Sequence, residues 1–439
     1  MCREMSISRP SGQGFVQAVF FILWQILCCC TERMLCMRNR WLIALAAIGI
    51  HISIGSVYAW SVLTKPIMNE MGITLKETTW TFSLAILFLG LSAGFLGSFV
   101  EKMGPKKSGL LATLFFGTGM LGTAWAIEES SLTMLYLFYG FIGGIGLGIG
   151  YITPVSTLVK YFPNHRGFAT GLAIMGFGFA ALVAGPVMQY LTGEYGLVNN
   201  FLILGTVYII IMSMSALYLK PPVAKKNDNM IEGNCQGVTA NEAVKTWQFS
   251  ALWWIFFVNI TCGIGLLSVA SPMAQEVVGM DAAAAASMVG IIGLLNGAGR
   301  IFWSTVSDYI GRGMTYILFF LIEIAAFYHL ANTVDAMVFQ LLILLIISCY
   351  GGGFSCMPAY LSDLFGTKQL SAIHGRILTA WGLAGIAGPS IIAVFRENTS
   401  GYDYTLYFFA GCFIINFLIA VALKAYGRSK RAAAILHVR

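Results

Sequence analysis

GSFVEKMGPKK occupies residues 97–107 of this chain, and a shortened copy, STVSDYIGR, occupies residues 304–312. Each stretch follows an apolar run of about 20 residues, long enough to cross a membrane. The segments Pro154 to Pro186 and Pro358 to Pro389 recur at a similar offset, and each ends in Gly-Pro. These repeats predict two homologous halves. Such a duplication places a substrate path between the halves near the membrane midplane.

The composition also places the chain in a membrane. Of its 439 residues, 58% are hydrophobic and 10% are charged, and the mean hydropathy is +0.78. This leaves too little polar surface for a soluble globule. Apolar runs predict twelve spans, at residues 42–63, 79–99, 108–127, 132–156, 168–192, 200–219, 251–275, 286–306, 314–332, 336–357, 372–395 and 404–424. We expect an all-α membrane protein whose twelve transmembrane helices form two pseudo-symmetric six-helix bundles.

The bundles are predicted at residues 42–219 and 251–425, joined by a cytoplasmic linker at 220–250 and followed by a basic tail at 426–439. Lys and Arg are retained on the cytoplasmic side of membranes. Alternate connections carry Arg38 and Arg40; Lys102, Lys106 and Lys107; Lys160 and Arg166; Lys220, Lys225, Lys226 and Lys245; Arg312; Lys368 and Arg376; and the tail residues Lys424, Arg428, Lys430, Arg431 and Arg439. The other connections hold Lys65, Lys76 and Arg396. This alternation predicts a multi-pass protein of the cell membrane with both ends of the core cytoplasmic. The net charge of +7 therefore reflects topology and not a nucleic-acid partner.

The first 41 residues fit this scheme less well. Phe15 to Cys30 is an apolar run too short for a typical span, and it ends in three consecutive cysteines. Three interpretations stay open: an interfacial or signal-like helix, an acylated anchor, or translated upstream sequence with the natural start at Met34 or Met37. We favour the last. The other cysteines are scattered without metal-ligand spacing, so we expect no metal and no disulfide framework.

Arg300 interrupts the apolar segment SMVGIIGLLNGAGRIFWSTVSD, residues 287–308. An ionised guanidinium at this depth costs about 2.5 to 3.5 kcal/mol on insertion scales, so it should face a protected interior with a partner. Asn296 lies one turn earlier on the same face, and both side chains can donate to a carboxylate. The equivalent position in the first half is Ala93, so the charge is asymmetric, as expected for a ligand site. We expect a small carboxylate anion as partner. An ion pair with Glu323, and for Asn296 a bond between helices, are the structural alternatives.

Several of these stretches resemble known transporters. The pattern G-x-x-x-[DE]-[KR]-x-G-x-[KR]-[KR], with Gly97, Glu101, Lys102 and Gly104, resembles the signature of the major facilitator superfamily, and the copy with Asp308 and Arg312 supports it. A narrower resemblance, over about residues 40–425, is to the oxalate:formate antiporter family and its monocarboxylate-transporter relatives. It is carried by Gly55-Ser-Val-Tyr58-Ala-Trp60-Ser61, Tyr151-x-Thr-Pro154, Val159-Lys-Tyr-Phe-Pro163, Arg166-Gly167 and Asn296-x-x-x-Arg300. The resemblance implies a monomeric carrier without a cofactor.

The resemblance also implies an aromatic cage. Tyr151, Tyr350 and Trp381 match cage residues that surround the anion and exclude water. In the first span, His51 and Tyr58 share a helix face through Gly55 and could line the cavity opposite Arg300. Ordinary core packing is the alternative for each of these aromatic residues.

Two departures from the family pattern bear on the substrate and its coupling. Oxalate-transporting members carry a lysine one turn after the tryptophan of span eleven, where this chain has Ala384. A single arginine neutralises a monocarboxylate but leaves an oxalate dianion uncompensated. We therefore expect lactate, pyruvate or formate as substrate. Proton-linked animal relatives carry an aspartate where this chain has Asn296, which leaves the substrate carboxylate itself, His51 and Glu323 as candidate proton carriers.

The repeated loops are expected to act as a gate. Glu101 with Lys102, and Asp308 with Arg312, lie where carboxylates can meet helix ends and basic side chains, holding the cytoplasmic side closed. The chain carries no H-E-x-x-H or G-x-S-x-G motif, so an enzyme is not expected. The alternatives to a monocarboxylate carrier, which could be a proton symporter, are an oxalate:formate antiporter and an anion-binding membrane sensor.

Overall fold

Twelve helices in the described part of the chain are long and apolar enough to cross a membrane, which confirms the predicted fold class. The computed structural model describes residues 39–222, 237–399 and 401–436. The cysteine cluster, the two proposed start sites and residues 223–236 of the linker lie outside these ranges. The spanning helices are α1 (Arg40–Met71), α2 (Leu75–Met103), α3 (Pro105–Glu128), α4 (Leu132–Tyr161), α5 (Arg166–Tyr195), α6 (Leu197–Tyr218), α7 (Trp247–Val278), α8 (Ala282–Ile310), α9 (Arg312–Leu330), α10 (Ala336–Phe365), α11 (Leu370–Thr399) and α12 (Asp403–Leu436).

Two helices depart from regular α geometry. A 3₁₀ segment, Gly55–Ala59, lies within α1, and a π-helical segment, Tyr136–Gly143, lies within α4. A short helix, Ala240–Val244, precedes α7. Interruptions of this kind often occur at functional positions. The first of them carries Tyr58.

Local sequence explains where the helices begin and end. At the start of α2, Thr74 accepts a hydrogen bond from the Glu77 backbone N–H, and the Glu77 carboxylate accepts one from the Thr74 N–H at 2.7 Å. At the two repeated loops, α2 ends at Gly104 with φ +77° and α8 ends at Gly311 with φ +86°. Side chains with a Cβ rarely adopt such angles, so glycine permits the turn into the next helix. This explains the motif glycine in both halves.

The two six-helix groups meet through pseudo-equivalent helix pairs, α2 with α11 and α5 with α8. Small residues allow these close contacts. A Cβ on Gly97 would lie 2.7 Å from the carbonyl oxygen of Ser371, and one on Gly178 would lie 2.8 Å from Gly297. We call the end of the bundle that carries Lys102, Lys160, Arg312 and Lys368 the basic end. The close glycine contacts between α2 and α11, and between α5 and α8, run from the basic end to about the middle of these helices, so the basic end is closed.

Candidate functional site

Arg300 lies inside the bundle, ten residues from the end of α8, or about 15 Å along the helix axis. Its side chain has no solvent exposure. Nη1 donates to the carbonyl oxygen of Ile174 at 3.0 Å, and Nε donates to Oδ1 of Asn296 at 3.4 Å. Nη2 has no hydrogen-bond partner. Among the described residues no carboxylate forms an ion pair with Arg300, so no side chain there neutralises its charge.

Two phenylalanines flank the guanidinium. The Arg300 Cζ lies 5.7 Å from the ring centroid of Phe177 on α5 and 5.3 Å from that of Phe354 on α10. Both rings also contact Trp381 on α11, with centroids 5.6 and 4.8 Å away. Cation–π contacts stabilise a charge without neutralising it. The two rings therefore leave the positive charge of Arg300 unneutralised.

The structure brings Tyr58, Tyr151, Tyr350 and Trp381 together around this guanidinium. The Tyr151 ring lies 5.2 Å from Trp381 and 5.4 Å from Phe177. Tyr58 lies 5.0 Å from Phe177, and Tyr350 lies 5.2 Å from Phe354. The three phenol oxygens and the indole Nε1 are buried without hydrogen-bond partners. With Nη2 of Arg300, five groups that can donate a hydrogen bond are unpaired in one region.

The side chain of Asn296 contacts Arg300. Its Oδ1 accepts from Nε, so this amide orients the guanidinium. Gly351 of α10 packs against the same pair: a Cβ there would lie 3.0 Å from Asn296 Oδ1 and 3.3 Å from Arg300 Cγ. The absence of a side chain at Gly351 allows α10 to reach Arg300. Whether Asn296 also binds substrate stays a prediction.

His51 is buried between α1, α4 and α5 with a carbonyl oxygen at each ring nitrogen. Nδ1 lies 2.5 Å from the oxygen of Ala173, and Nε2 lies 3.1 Å from the oxygen of Tyr151. A neutral imidazole has one N–H and can donate to only one carbonyl, whereas an imidazolium donates to both. The imidazole does not line the cage directly, but its ring contacts Tyr151 and Phe177.

Glu323 is also buried, but it does not meet Arg300. Both carboxylate oxygens accept from Nδ2 of Asn259 on α7, at 3.2 and 3.4 Å. The predicted alternative of an Arg300–Glu323 ion pair is therefore wrong. The physical reason is direction: α9 turns Glu323 toward α7, whereas α8 turns Arg300 toward α5. Its role as a proton carrier stays a prediction.

Three residues of this region were not singled out from the sequence: Phe177, Phe354 and His374. Phe354 follows Tyr350 by one helical turn, and Phe177 precedes Trp381 by 204 residues, the same offset that separates Pro154 from Pro358. His374 precedes Trp381 by two turns, and its ring lies 6.0 Å from Tyr151. The helical spacing and the internal repeat were thus available signals for all three.

At the basic end, the repeated loops form two junctions. In the α2–α11 junction, the Glu101 carboxylate pairs with Lys160 of α4 at 2.6 Å and accepts from the Ser371 N–H, in the first turn of α11, at 3.1 Å. Lys102, the predicted neighbour, is exposed. A cavity of about 160 Å³ borders this junction and is lined by Glu101, Lys160 and hydroxyl side chains of α4.

In the α5–α8 junction, Asp308 accepts from the backbone N–H groups of Gly167 and Phe168, at 2.9 and 2.8 Å. These N–H groups belong to the first turn of α5, where intrahelical acceptors are absent. Asp308 also pairs with Arg312. Asp363 of α10 joins the junction through Arg312 at 3.3 Å and Arg166 at 3.2 Å. Both motif carboxylates thus meet the N-terminus of a helix from the other half.

Comparison with known proteins agrees with this architecture. The sequence model of the Major Facilitator Superfamily matches residues 43–389. The oxalate:formate antiporter of Oxalobacter formigenes is 28% identical over 366 residues, covering 82% of this chain and 86% of the antiporter. Human monocarboxylate transporter 14 is 29% identical over 190 residues, covering 43% of this chain and 36% of that protein. Among solved structures, the fucose:proton symporter FucP of Escherichia coli superimposes with a TM-score of 0.70 at 14% identity, covering 88% of this chain and 99% of FucP. That likeness concerns the fold alone.

Proposed function

The chain belongs to the major facilitator superfamily, and we propose that, as a transporter of that family, it carries small organic monocarboxylates of the lactate, pyruvate or formate class by alternating access. The observation that carries the proposal is the buried Arg300 guanidinium, whose Nη2 is unpaired beside four other unpaired donors. A carboxylate would accept from these groups and neutralise the charge. The low-dielectric surroundings strengthen that attraction.

Charge favours a monoanion over a dianion. Ala384, which is fully buried, stands where the oxalate-transporting relatives carry a lysine. The two arginines of α11 are engaged elsewhere, since Arg376 binds the Ala240 carbonyl oxygen and Arg396 pairs with Glu276. Arg300 would thus face the ligand as a single positive charge. An oxalate dianion would keep one charge uncompensated in the cage.

The two six-helix bundles would rock about this site. We place the basic end in the cytoplasm, because Lys and Arg concentrate there. In this arrangement the closed basic end corresponds to a carrier shut toward the cytoplasm, with Glu101 and Asp308 holding the closure. Release of the two junctions would open the site to that side.

Proton coupling follows from the position of His51 near Arg300. The positive charge of Arg300 disfavours a second proton on His51, and a bound carboxylate removes that repulsion. Anion and proton would then favour each other's binding by the same free energy, as linkage requires. Glu323 is the other candidate carrier, since it is a buried carboxylate held by an amide. We propose symport with His51 as the carrier nearer the anion.

The proposal is tested with purified protein in liposomes. Uptake of radiolabelled L-lactate, pyruvate, formate and oxalate is measured with and without an inward proton gradient. We expect gradient-stimulated uptake of a monocarboxylate, and we expect Arg300→Ala to abolish binding. Arg300→Lys should also lose uptake, because an ammonium lacks the planar array of donors. Arg396→Ala, which removes an exposed arginine at the opposite end, is the matched control and should transport normally.

The 28% identical antiporter makes oxalate:formate exchange the second candidate. Oxalate uptake that depends on internal formate and is indifferent to the proton gradient would establish the exchanger and refute the single-charge argument. Binding of a monocarboxylate without flux of any tested anion would favour a sensor. Wild-type uptake by Arg300→Ala would refute the assigned site.

A further inference from the structure

His374 is a fully buried imidazole on α11. Neither Nδ1 nor Nε2 has a hydrogen-bond partner. A buried polar group without a partner is costly, which calls for a compensating use of the group. The contrast with His51 is direct, because both nitrogens of His51 face a carbonyl oxygen. His51 thus has an acceptor at each ring nitrogen, whereas both nitrogens of His374 are unpaired.

The position of His374 places it between the cage and the basic end. It lies four residues after Leu370, the first residue of α11, whereas Trp381 lies eleven residues after it. At 1.5 Å per residue, these positions are about 6 and 16 Å along the helix from the basic end. The ring of Tyr151 contacts both histidines, with its centroid 5.3 Å from His51 and 6.0 Å from His374.

We propose that His374 is the second residue to bind the proton on a path that begins at His51 and leads to the basic end. The inference rests on the proposed function, because it requires proton-coupled transport. When the basic end opens, water reaches the space beside Tyr151. One proton leaves His51, which becomes neutral, and the water chain delivers one proton to a free nitrogen of His374. His374 then releases one proton to the solution at the basic end, so neither ring is consumed.

The charges around the two rings give this transfer a direction. Arg300 acts on His51, and departure of the carboxylate restores the repulsion that expels the proton. Near the start of α11, Glu101 of α2 binds Lys160 of α4 and the Ser371 N–H, and Arg376 binds Ala240 and Asn241. Lys368 and Glu242 are exposed in the same region. The phenol oxygen of Tyr151 and both nitrogens of His374 are unpaired, and of these groups the imidazole is the one that readily accepts a proton.

The test separates proton movement from substrate movement. Full-length protein in liposomes is assayed for exchange of L-lactate at equal pH on both sides and for lactate-driven proton flux with the trapped dye pyranine. We expect His374→Gln to keep exchange near the wild-type rate and to lose lactate-driven proton flux and gradient-driven accumulation. His374→Asn provides a second variant of different length. The exposed His165→Gln is the matched control and should behave as the wild type in both assays.

Each other outcome is informative. Proton flux at the wild-type level in His374→Gln and His374→Asn would overturn the proposal and leave His51 and Glu323 as the candidate carriers. Loss of exchange in both variants, with normal thermal stability in detergent, would also overturn it, because His374 would then belong to the substrate site. Wild-type protein that exchanges lactate without proton flux would refute the proton path alone. Wild-type protein that does neither would refute the proposed function itself.

Discussion

The α2–α11 and α5–α8 junctions occupy equivalent places in the two halves, yet they close the basic end with different chemistry. Asp308 accepts two backbone N–H groups and joins a four-residue network with Arg312, Asp363 and Arg166. Glu101 accepts one N–H and pairs with one lysine. The duplication therefore preserved the carboxylate at the helix end while its partners changed.

The two junctions also differ in the solvent exposure of their ion pairs. The Asp308 and Arg312 side chains are 5% and 9% exposed, whereas those of Glu101 and Lys160 are 18% and 31% exposed beside a cavity. Water weakens an ion pair by screening it. We infer that the α5–α8 junction contributes more to closure than the α2–α11 junction, and that the latter opens more easily.

The largest effect is expected for Asp308→Ala. It leaves two helix-end N–H groups without acceptors and Arg312 without its nearest carboxylate. A hydrogen bond to a charged group contributes about 1.5 to 3 kcal/mol, and 1.4 kcal/mol is a factor of ten in an equilibrium constant, so the ratio of closed to open states should fall more than about tenfold. We would measure the rate at which an impermeant thiol reagent labels Ser156→Cys, in a background without native cysteines. Ser156 lines the basic-end cavity and is buried in the closed state.

Asp308→Asn is the matched control for this prediction. An amide removes the charge, keeps one acceptor oxygen for the α5 N-terminus and replaces the other acceptor with an NH2 donor. Its labelling rate should lie between those of the wild type and Asp308→Ala. Equal labelling of Asp308→Ala and the wild type would show that this junction does not hold the basic end closed.

A smaller effect is expected for Glu101→Ala. The substitution removes one N–H acceptor and one half-exposed ion pair, which contributes at most about 1 kcal/mol. Transport should slow while the apparent substrate affinity changes little, because Glu101 lies at the basic end and not in the cage. Turnover and KM for the transported monocarboxylate in liposomes measure this directly. Wild-type turnover in Glu101→Ala would show that the motif carboxylate of the first half has no gating role.

Much of this arrangement could be predicted from the residues. The sequence predicts Arg300 as a site residue because a charge within an apolar run is costly and needs a partner. The twelve spans followed from hydrophobic length, although the first was predicted at 42–63 and observed at Arg40–Met71. Hydropathy reports the part of a helix inside the hydrocarbon. The helix continues to Gly72, where φ is +64°.

The remaining contacts depend on how helices cross. The Glu101–Lys160 pair joins positions 59 residues apart, and the chain contains 31 phenylalanines, of which two flank Arg300. Helical periodicity assigns each of these residues to a face but not to a partner on another helix. His374 is a similar case, since its two-turn spacing from Trp381 places it on the same face of α11 but identifies no partner on another helix.

The smallest effect is expected for Asp363→Asn. Asp363 is the most exposed residue of the α5–α8 junction. Asp363 bridges Arg166 and Arg312, but its side chain is 40% exposed, so screening limits each ion pair to a few tenths of a kcal/mol. Arg312 would keep Asp308 as its partner. Labelling of Ser156→Cys should rise less than in Glu101→Ala, and the rise should shrink at high salt. If Asp363→Asn instead matched Asp308→Ala, closure would depend on the network as a unit, and the ranking by burial would be wrong.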